Sequence, residues 1–344
     1  MAGISAGKLW GMRRLADANG RFKMTAVDQR PPIINPIREK RGTATAPWED
    51  VATFKAMLVE ELQDMSSALL LDPNFAYPKA ATLLDPRKGL IVTLEDSQFE
   101  ETPEGRLSAE IADWSVAKIR RMGADAVKVL VWYRPDAATS VLTHQKDFAK
   151  RIGEICATHD IPYVFELLVY SLQGEAGQTG DYIEMPGKRA DHILESVREF
   201  ANPAYGIDLF KLESPVAAKD CDGSAAVQRR FDELGAVAEK PWVMLSAGAG
   251  MKEFHRVLEH AYAAGASGYL AGRAIWLEAF GHFPNWDAIR SALKGDARAY
   301  MRNLNALTDA AARPWWEHVE SGEAQLQHAG PAFASSYGSG QAPA

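Results

Sequence analysis

A lysine inside an apolar segment is the first feature of this sequence that could do chemistry. Lys211 lies in the stretch 206–215, which is too short for a core helix and ends at Pro215. This pattern predicts a buried strand that ends near Glu213. A buried ammonium group is costly, so it either finds a carboxylate or gives up its proton, and a neutral lysine amine can form a Schiff base with a carbonyl substrate. The alternative is a structural ion pair with Asp208 or Glu213.

Two further charged residues interrupt apolar segments in the same way. Lys128 lies between valines, and Glu166 lies between Phe165 and Leu167. Because side chains alternate along a strand, Lys128, Glu166 and Lys211 can point to the same side of a sheet. Schiff-base chemistry needs an amine nucleophile, a second cation nearby and an acid/base group, and these three residues could fill those roles. A buried ion-pair network without a catalytic role is the alternative.

The elements that must position these residues alternate along the chain. Segments with strand character are followed by stretches with helical character, which predicts a parallel sheet with right-handed crossovers. The strand segments are 22–27, 67–71, 89–94, 126–131, 162–168, 207–213, 242–245 and 267–270. The helical stretches are 48–65, 108–122, 144–159, 188–200, 224–237 and 251–263. Eight strands are the number that closes a barrel, so we predict an α/β fold, a (β/α)8 TIM barrel, with an open doubly wound sheet as the alternative.

We expect one domain over residues 1–320, in which 284–318 adds C-terminal helices to the barrel. These helices could cover the barrel or form a homo-oligomer interface. We expect a flexible tail over residues 321–344, because the last stretch, 330–344, is small, uncharged and rich in glycine, serine and proline, which is typical of a poorly ordered tail. The polar loops 38–47 and 173–187 follow strand ends, where barrel enzymes place their active sites.

The ends of the last two strand segments predict an anion site. Ser246 and Gly248 follow one strand, and Gly272 and Arg273 follow the next. Barrels often bind phosphate with the loops after strands seven and eight, and an arginine can add paired hydrogen bonds to the phosphate oxygens. Metal chemistry has less support, because the histidines lie in predicted helices or late loops. A magnesium site built from four mouth carboxylates stays open as an alternative: Asp28, Asp72, Glu95 and Asp96.

Composition narrows the class of protein. A net charge of −7 argues against nucleic acid as a partner. The sequence has no 18-residue apolar run, which argues against a membrane span, and no apolar signal-peptide core near its start. Cys156 and Cys221 lack a metal-binding or redox spacing and suggest a reducing compartment. We therefore expect a cytoplasmic enzyme.

Six motifs occur in an order that resembles one known family. They are AVDQR (26–30), AVKVL (126–130), FEL (165–167), FKLESP (210–215), LSAG (245–248) and AGASGYLAGRAIW (264–276). Together they resemble the class I tagatose-1,6-bisphosphate aldolase family, which includes sulfofructose-phosphate aldolases. The resemblance implies an aldolase without metal or other cofactor, which cleaves a ketose phosphate or sulfosugar phosphate into dihydroxyacetone phosphate and an aldehyde.

The resemblance also implies roles for the residues at matching positions. Lys211 would form the Schiff base, and Glu166 would serve as acid/base at the C4 hydroxyl. Lys128 and Asp28 would assist at the imine and the substrate hydroxyls. An anionic end group would be held by Ser246, Gly248 and Arg273, while Gln29 and Arg30 fit the motif of the first strand.

Departures from the family pattern leave the far end of the substrate open. Pro31 and Pro32 should stiffen the first loop, and Arg134 brings another arginine to the fourth strand's mouth. The second anion could be a phosphate, a sulfonate or absent. Two other functions also stay open: a metal-dependent lyase or isomerase, and a non-catalytic regulatory protein that binds sugar phosphates.

Overall fold

Eight parallel strands close into a barrel. The structure, a computed structural model, describes residues 4–175, 190–318 and 330–338. The strands of the barrel are β1 (Phe22–Ala26), β2 (Ala68–Leu71), β3 (Gly89–Thr93), β6 (Ala126–Trp132), β7 (Tyr163–Leu168), β8 (Leu209–Leu212), β9 (Trp242–Met244) and β10 (Gly268–Ala271). Around the barrel the strands follow the order β1-β10-β9-β8-β7-β6-β3-β2. The predicted (β/α)8 barrel is confirmed, and the open sheet is excluded because β1 pairs with both β2 and β10.

Alternation along each strand divides the barrel interior into layers. On β6, Val127, Val129 and Val131 belong to the core between the strands and the outer helices. Ala126 belongs to an apolar cluster at the N-terminal end of the barrel, and Trp132 belongs to another apolar cluster at the C-terminal end. Lys128 has the same parity as Ala126 and Trp132 and lies between them. A charged layer is therefore held between two apolar layers.

The helices surround the barrel and extend it at the C-terminal end of the chain. They are α1 (Ala6–Leu15), α2 (Pro31–Arg41), α3 (Trp48–Leu62), α4 (Ala76–Ala80), α5 (Val116–Arg121), α6 (Thr139–Thr158), α7 (Ala190–Phe200), α8 (Ala225–Ala238), α9 (Met251–Ala263), α10 (Arg273–Phe280), α11 (Trp286–Ala292), α12 (Arg298–Ala311) and α13 (Phe333–Ser336). The additional helices expected within 284–318 are present as α11 and α12. Met12 and Leu15 of α1 pack with Trp315 against the apolar N-terminal layer, so this end of the barrel is filled.

Two local predictions were wrong. Pro31 and Pro32 begin α2 instead of stiffening a loop, because proline fits the first helical positions, where its missing N–H has no partner to lose. The helix predicted from residue 108 begins only at Val116. The residues before it bond to the end of β3, since Ile111 N donates to Leu94 O at 2.9 Å.

A hairpin between β3 and α5 was not predicted. Its strands are β4 (Glu100–Thr102) and β5 (Gly105–Leu107), which pair antiparallel. Such short strands carry almost no periodic signal in the sequence.

Some predictions concern residues outside the described ranges. The predicted loop 173–187 is described only as far as Glu175, and of the predicted tail 321–344 only 330–338 is described. Within the described ranges, the helices are all too short or too polar to cross a membrane.

Candidate active site

The charged layer lies near the C-terminal ends of the strands, where barrel enzymes place their active sites. Lys128 is on β6, Glu166 on β7 and Lys211 on β8, while Asp28 and Glu95 follow β1 and β3. All five line one pocket at this end of the barrel. Glu166 and Lys211 are direct neighbours in the register of β7 and β8, so their side chains emerge side by side.

One carboxylate oxygen joins the two lysines. Oε2 of Glu166 lies 2.7 Å from Nζ of Lys128 and 2.9 Å from Nζ of Lys211. The three side chains are buried. The structure therefore brings together the three residues that the sequence predicted as a catalytic group. Neither Asp208 nor Glu213 is the ion-pair partner of Lys211: Asp208 instead pairs with Lys8.

Lys128 is the centre of the network. Its Nζ contacts Asp28 Oδ2 at 3.0 Å and Glu95 Oε1 at 2.6 Å, in addition to Glu166. Three donor positions on one ammonium group thus meet three carboxylates, the full capacity of a lysine.

Glu95 was considered only as part of a metal site, yet it organises one side of the pocket. Its Oε2 accepts a hydrogen bond from Thr93 Oγ1 at 2.5 Å, and its backbone oxygen accepts two bonds of 3.1 Å from the guanidinium of Arg30. The useful signal in the sequence was its place directly after a strand, the same kind of position that identified Asp28. Arg30 lines the pocket as predicted, but it also ties the ends of β1 and β3 together.

The charges in this layer stabilise one another against burial. Burial alone would raise the pKa of Asp28 and of Glu166, but the charges of Lys128 and Lys211 outweigh it and hold both pKa values below their usual range. Burial would lower the pKa of Lys128, but Asp28, Glu166 and Glu95 raise it well above its ordinary value. At neutral pH, Asp28 and Glu166 are therefore carboxylates and Lys128 is an ammonium ion.

These shifts predict how the network contributes to stability. The lowered carboxyl pKa values stabilise the fold above about pH 4 and this contribution is lost as the pH falls, while the raised pKa of Lys128 contributes below about pH 10. Lys128→Met should lower the free energy of unfolding by about 3–5 kcal/mol at pH 7, because it leaves buried carboxylates without their cation. The difference in the free energy of unfolding between the variant and wild type should be smaller at pH 5, where Asp28 and Glu166 of the variant can take up protons.

Urea unfolding at the two pH values measures this difference. Lys79→Met is the matched control, since Lys79 pairs with Glu49 at the surface. Its effect should be small at both pH values. A Lys128→Met variant as stable as wild type at pH 7 would contradict the role assigned to Lys128.

The predicted anion residues form a second feature of the pocket. Ser246, Gly272 and Arg273 line it, and Ala249 N donates to Ser246 O at 2.7 Å to close a tight turn after β9. In this turn Gly248 has φ +88°, and a Cβ there would lie 3.3 Å from Nη1 of Arg273. Glycine therefore permits both the left-handed backbone and the close approach of the guanidinium.

Gly272 has a related steric role at the start of α10. A Cβ at this position would lie 2.7 Å from both Ala26 O and Gln29 Nε2. The N-terminus of α10 can thus pack against the end of β1. The first N–H groups of α10 and the guanidinium of Arg273 share this corner of the pocket, an arrangement suited to an anion.

Two buried oxygen atoms in the pocket accept no hydrogen bond from the part of the chain that is described. They are Asp28 Oδ1 and Gln29 Oε1. An oxygen left without a donor in a buried site is costly, so both atoms are suited to accept hydrogen bonds from substrate hydroxyl groups.

Three of the four carboxylates proposed for a magnesium site pair with lysines, and the fourth, Asp96, accepts a hydrogen bond from Gln98 N at 2.9 Å. Asp72 pairs with Lys55, both without solvent exposure, and Lys55 Nζ also donates to Val27 O at 2.8 Å. Asp28 and Glu95 both contact Lys128. Across the described ranges, no cluster of three or more His, Cys, Asp or Glu side chains has the arrangement of a metal site.

Arg134 follows the end of β6, the fourth strand of the barrel along the chain, as expected. Its guanidinium pairs with Asp136 at 2.8 Å and with Glu175, and it donates to Tyr170 O at 3.1 Å. Its charge is therefore balanced by two carboxylates.

A parallel barrel with two lysines joined by a glutamate at the C-terminal ends of its strands has the groups that a Schiff-base aldolase requires. The profile described as DeoC/LacD family aldolase matches residues 23–278, and the chain belongs to this family. A tagatose 1,6-diphosphate aldolase of Listeria monocytogenes serotype 4a (strain HCC23) is 32% identical over 338 residues, which cover 94% of this chain and 98% of the relative. Tagatose 1,6-diphosphate aldolase 2 of Enterococcus faecalis (strain ATCC 700802 / V583) is 32% identical over 339 residues, or 94% and 100% of the two chains.

Solved structures share the fold at lower identity. An archaeal fructose 1,6-bisphosphate aldolase superposes with a TM-score of 0.59 at 18% identity and covers 88% of this chain and 98% of its own. The fructose-bisphosphate aldolase of Plasmodium falciparum gives a TM-score of 0.61 at 11% identity, with 88% and 94% covered.

Proposed function

We propose that this protein is a class I aldolase that cleaves a ketose bisphosphate of the tagatose 1,6-bisphosphate type into dihydroxyacetone phosphate and an aldehyde such as glyceraldehyde 3-phosphate. Lys211 forms the Schiff base, and no metal takes part. The observation that carries the proposal is the single oxygen of Glu166 in contact with both Lys211 and Lys128. Relatives at 32% identity that are named tagatose 1,6-diphosphate aldolase support the substrate class.

Schiff-base formation begins at Lys211. Its Nζ gives a proton to Glu166 and attacks the C2 carbonyl of the ketose. The carbonyl oxygen takes one proton from the attacking nitrogen and one back from Glu166 and leaves as water, which restores the Glu166 carboxylate. The product is an iminium ion on Lys211. Lys128 stays charged through this step, since its pKa is raised by the surrounding carboxylates. It therefore holds Glu166 in place next to the reacting nitrogen.

Cleavage then uses the iminium ion as an electron sink. Glu166 takes the proton of the C4 hydroxyl, the C3–C4 bond breaks, and its electron pair moves into the enamine on Lys211 while the aldehyde departs. Protonation of the enamine at C3 and hydrolysis of the iminium release dihydroxyacetone phosphate and restore the lysine. Asp28 Oδ1 and Gln29 Oε1, which accept no hydrogen bond from the described residues, are suited to hold substrate hydroxyls during these steps.

The phosphate next to the reacting carbonyl is assigned to the corner formed by Ser246, Gly248, Gly272 and Arg273. Charge-assisted hydrogen bonds from a guanidinium are among the strong ones, and helix N–H groups add to them. This corner fixes the dihydroxyacetone phosphate half of the substrate relative to Lys211.

Cleavage of tagatose 1,6-bisphosphate in the presence of EDTA tests the proposal. Dihydroxyacetone phosphate should be released at the same rate with and without the chelator, as a coupled reductase assay would show. Activity that EDTA removes and magnesium restores would overturn it in favour of the metal-dependent lyase. Tight binding without turnover would overturn it in favour of a regulatory sugar-phosphate-binding protein. The same assay with fructose and sulfofructose phosphates shows which ketoses are accepted by the part of the pocket that binds the aldehyde half of the substrate.

A further inference from the structure

The hairpin of β4 and β5 is built onto the wall of the pocket by close contacts. Gly105 has φ +145°, and a Cβ there would lie 2.4 Å from the hydroxyl of Tyr170. The same hydroxyl accepts a hydrogen bond of 3.0 Å from Arg106 N. Glycine therefore lets the hairpin approach the residues that follow β7.

Arg106 connects this hairpin to Trp132. Its side chain is 1% exposed, and its guanidinium carbon lies 4.4 Å from the ring centre of Phe99, 4.5 Å from Trp132 and 4.9 Å from Tyr170. The rings of Phe99 and Trp132 also meet edge to face at 5.3 Å. A buried guanidinium among aromatic faces is a strong form of cation–π contact, so it restricts how the Trp132 ring can move.

Gln145 of α6 fixes the backbone behind these rings. Its Nε2 donates to Trp132 O at 2.6 Å and to Arg106 O at 3.0 Å, and its Oε1 accepts from Ser108 N at 3.1 Å. The side chain has no solvent exposure. The end of β6 and strand β5 are thus joined by one fully buried amide.

The Trp132 side chain that Arg106 holds is also part of the pocket lining. Trp132, Leu168 and Leu245 line the pocket and form an apolar cluster above the charged layer. They are the inward positions at the C-terminal ends of β6, β7 and β9, on one side of the mouth. Asp28 and Gln29 lie on the opposite, polar side, after β1.

Strand order places Trp132 across the barrel from the anion corner. The corner lies after β9 and β10, and in the closed order β6 stands four positions from β10, while β3 stands four positions from β9. In an eight-stranded barrel these are opposite sides. A substrate whose phosphate is held by Arg273, and whose carbonyl carbon is bound to Lys211, extends past Glu166 toward Trp132.

We propose that Trp132 is the residue that determines specificity for the aldehyde half of the substrate and that Arg106 is the positioning residue that holds its ring. The inference rests on the proposed function and deepens it. The indole face contacts the carbon chain beyond C4, so it discriminates aldehydes by length while leaving the dihydroxyacetone phosphate half unaffected.

Aldol synthesis from dihydroxyacetone phosphate with two aldehydes tests this assignment. Glyceraldehyde 3-phosphate is long enough to reach Trp132, whereas glycolaldehyde is short. Trp132→Leu should lower kcat/KM for the long aldehyde by about 10–100-fold and for glycolaldehyde by less than about 3-fold. Trp132→Phe should recover most of the loss, because an aromatic face remains.

Arg106→Met is the second variant and leaves β6 unchanged. It should lower the ratio of kcat/KM for the long over the short aldehyde by about 10-fold, mainly through KM, and Arg106→Lys should restore part of the ratio. Trp316→Leu, which removes an indole at the other end of the barrel, is the control and should leave the ratio unchanged.

The outcomes separate this inference from the function on which it rests. Equal losses for both aldehydes, or an unchanged ratio in Trp132→Leu and Arg106→Met, would overturn the specificity role. Reductive trapping of dihydroxyacetone phosphate on Lys211 should be the same in both variants as in wild type, and a loss of trapping there would also overturn it. A wild-type chain that traps none would instead overturn the proposed function.

Discussion

Lys211→Met should reduce ketose bisphosphate cleavage by at least about 10⁴-fold, because it removes the amine that forms the covalent intermediate. Methionine has a similar length and no charge. The network around Lys128 keeps its contacts with Asp28, Glu95 and Glu166, since none of them depends on Lys211. The variant should therefore fold, which circular dichroism can check, while the coupled assay shows no turnover.

Lys240→Met is the matched control for this variant. Lys240 is a half-buried lysine at the opposite end of the barrel, where its Nζ donates to Ile207 O at 2.9 Å. Its replacement should leave turnover near the wild-type level. Cleavage by Lys211→Met at more than a few per cent of the wild-type rate would rule out Lys211 as the nucleophile.

Glu166→Gln should lower kcat for cleavage by about 10²–10⁴-fold, the usual contribution of a general acid/base group. The amide keeps the size of the side chain but cannot take the proton of the C4 hydroxyl. The adduct of dihydroxyacetone phosphate with Lys211 should still form, although more slowly, because the amine is still present and water can take the proton that Glu166 otherwise accepts. Rapid quench and mass spectrometry can follow the covalent complex between the ketose and Lys211. Its accumulation without aldehyde release distinguishes this defect from a loss of binding.

Glu199→Gln is the control for Glu166, since Glu199 forms an ion pair with Lys146 outside the pocket. It should leave both kcat and KM unchanged. Wild-type turnover in Glu166→Gln would move the acid/base role to another group, with Asp28 as the next carboxylate to replace.

The position of the proposed catalytic residues could be predicted because it follows from the alternation of side chains along a strand. Lys128, Glu166 and Lys211 interrupt apolar runs with the parity that faces the barrel interior, and alternation places them in one layer. Their mutual contacts follow from barrel closure, which depends on long-range pairing such as that of β1 with β10. The periodicity of a sequence does not show which distant strands pair, so an open sheet remained an alternative to the closed barrel.

Other features depend on contacts that a local pattern does not contain. The role of Glu95 rests on Lys128 and Thr93 reaching its two oxygens, a matter of side-chain rotamers. The hairpin rests on Gly105 packing against Tyr170, which lies far along the chain. A glycine in a polar stretch predicts a turn but not what the turn packs against. The aromatic surroundings of Arg106 were missed for the same reason.

Reductive trapping tests the central claim, that Lys211 is the Schiff-base residue, most directly. The protein is incubated with dihydroxyacetone phosphate and borohydride, digested, and mapped by mass spectrometry, with Lys211→Met and Lys128→Met in parallel. We predict one adduct, on the peptide that contains Lys211, and no adduct in Lys211→Met. An adduct on Lys128, or no adduct on the wild-type protein, would contradict the claim.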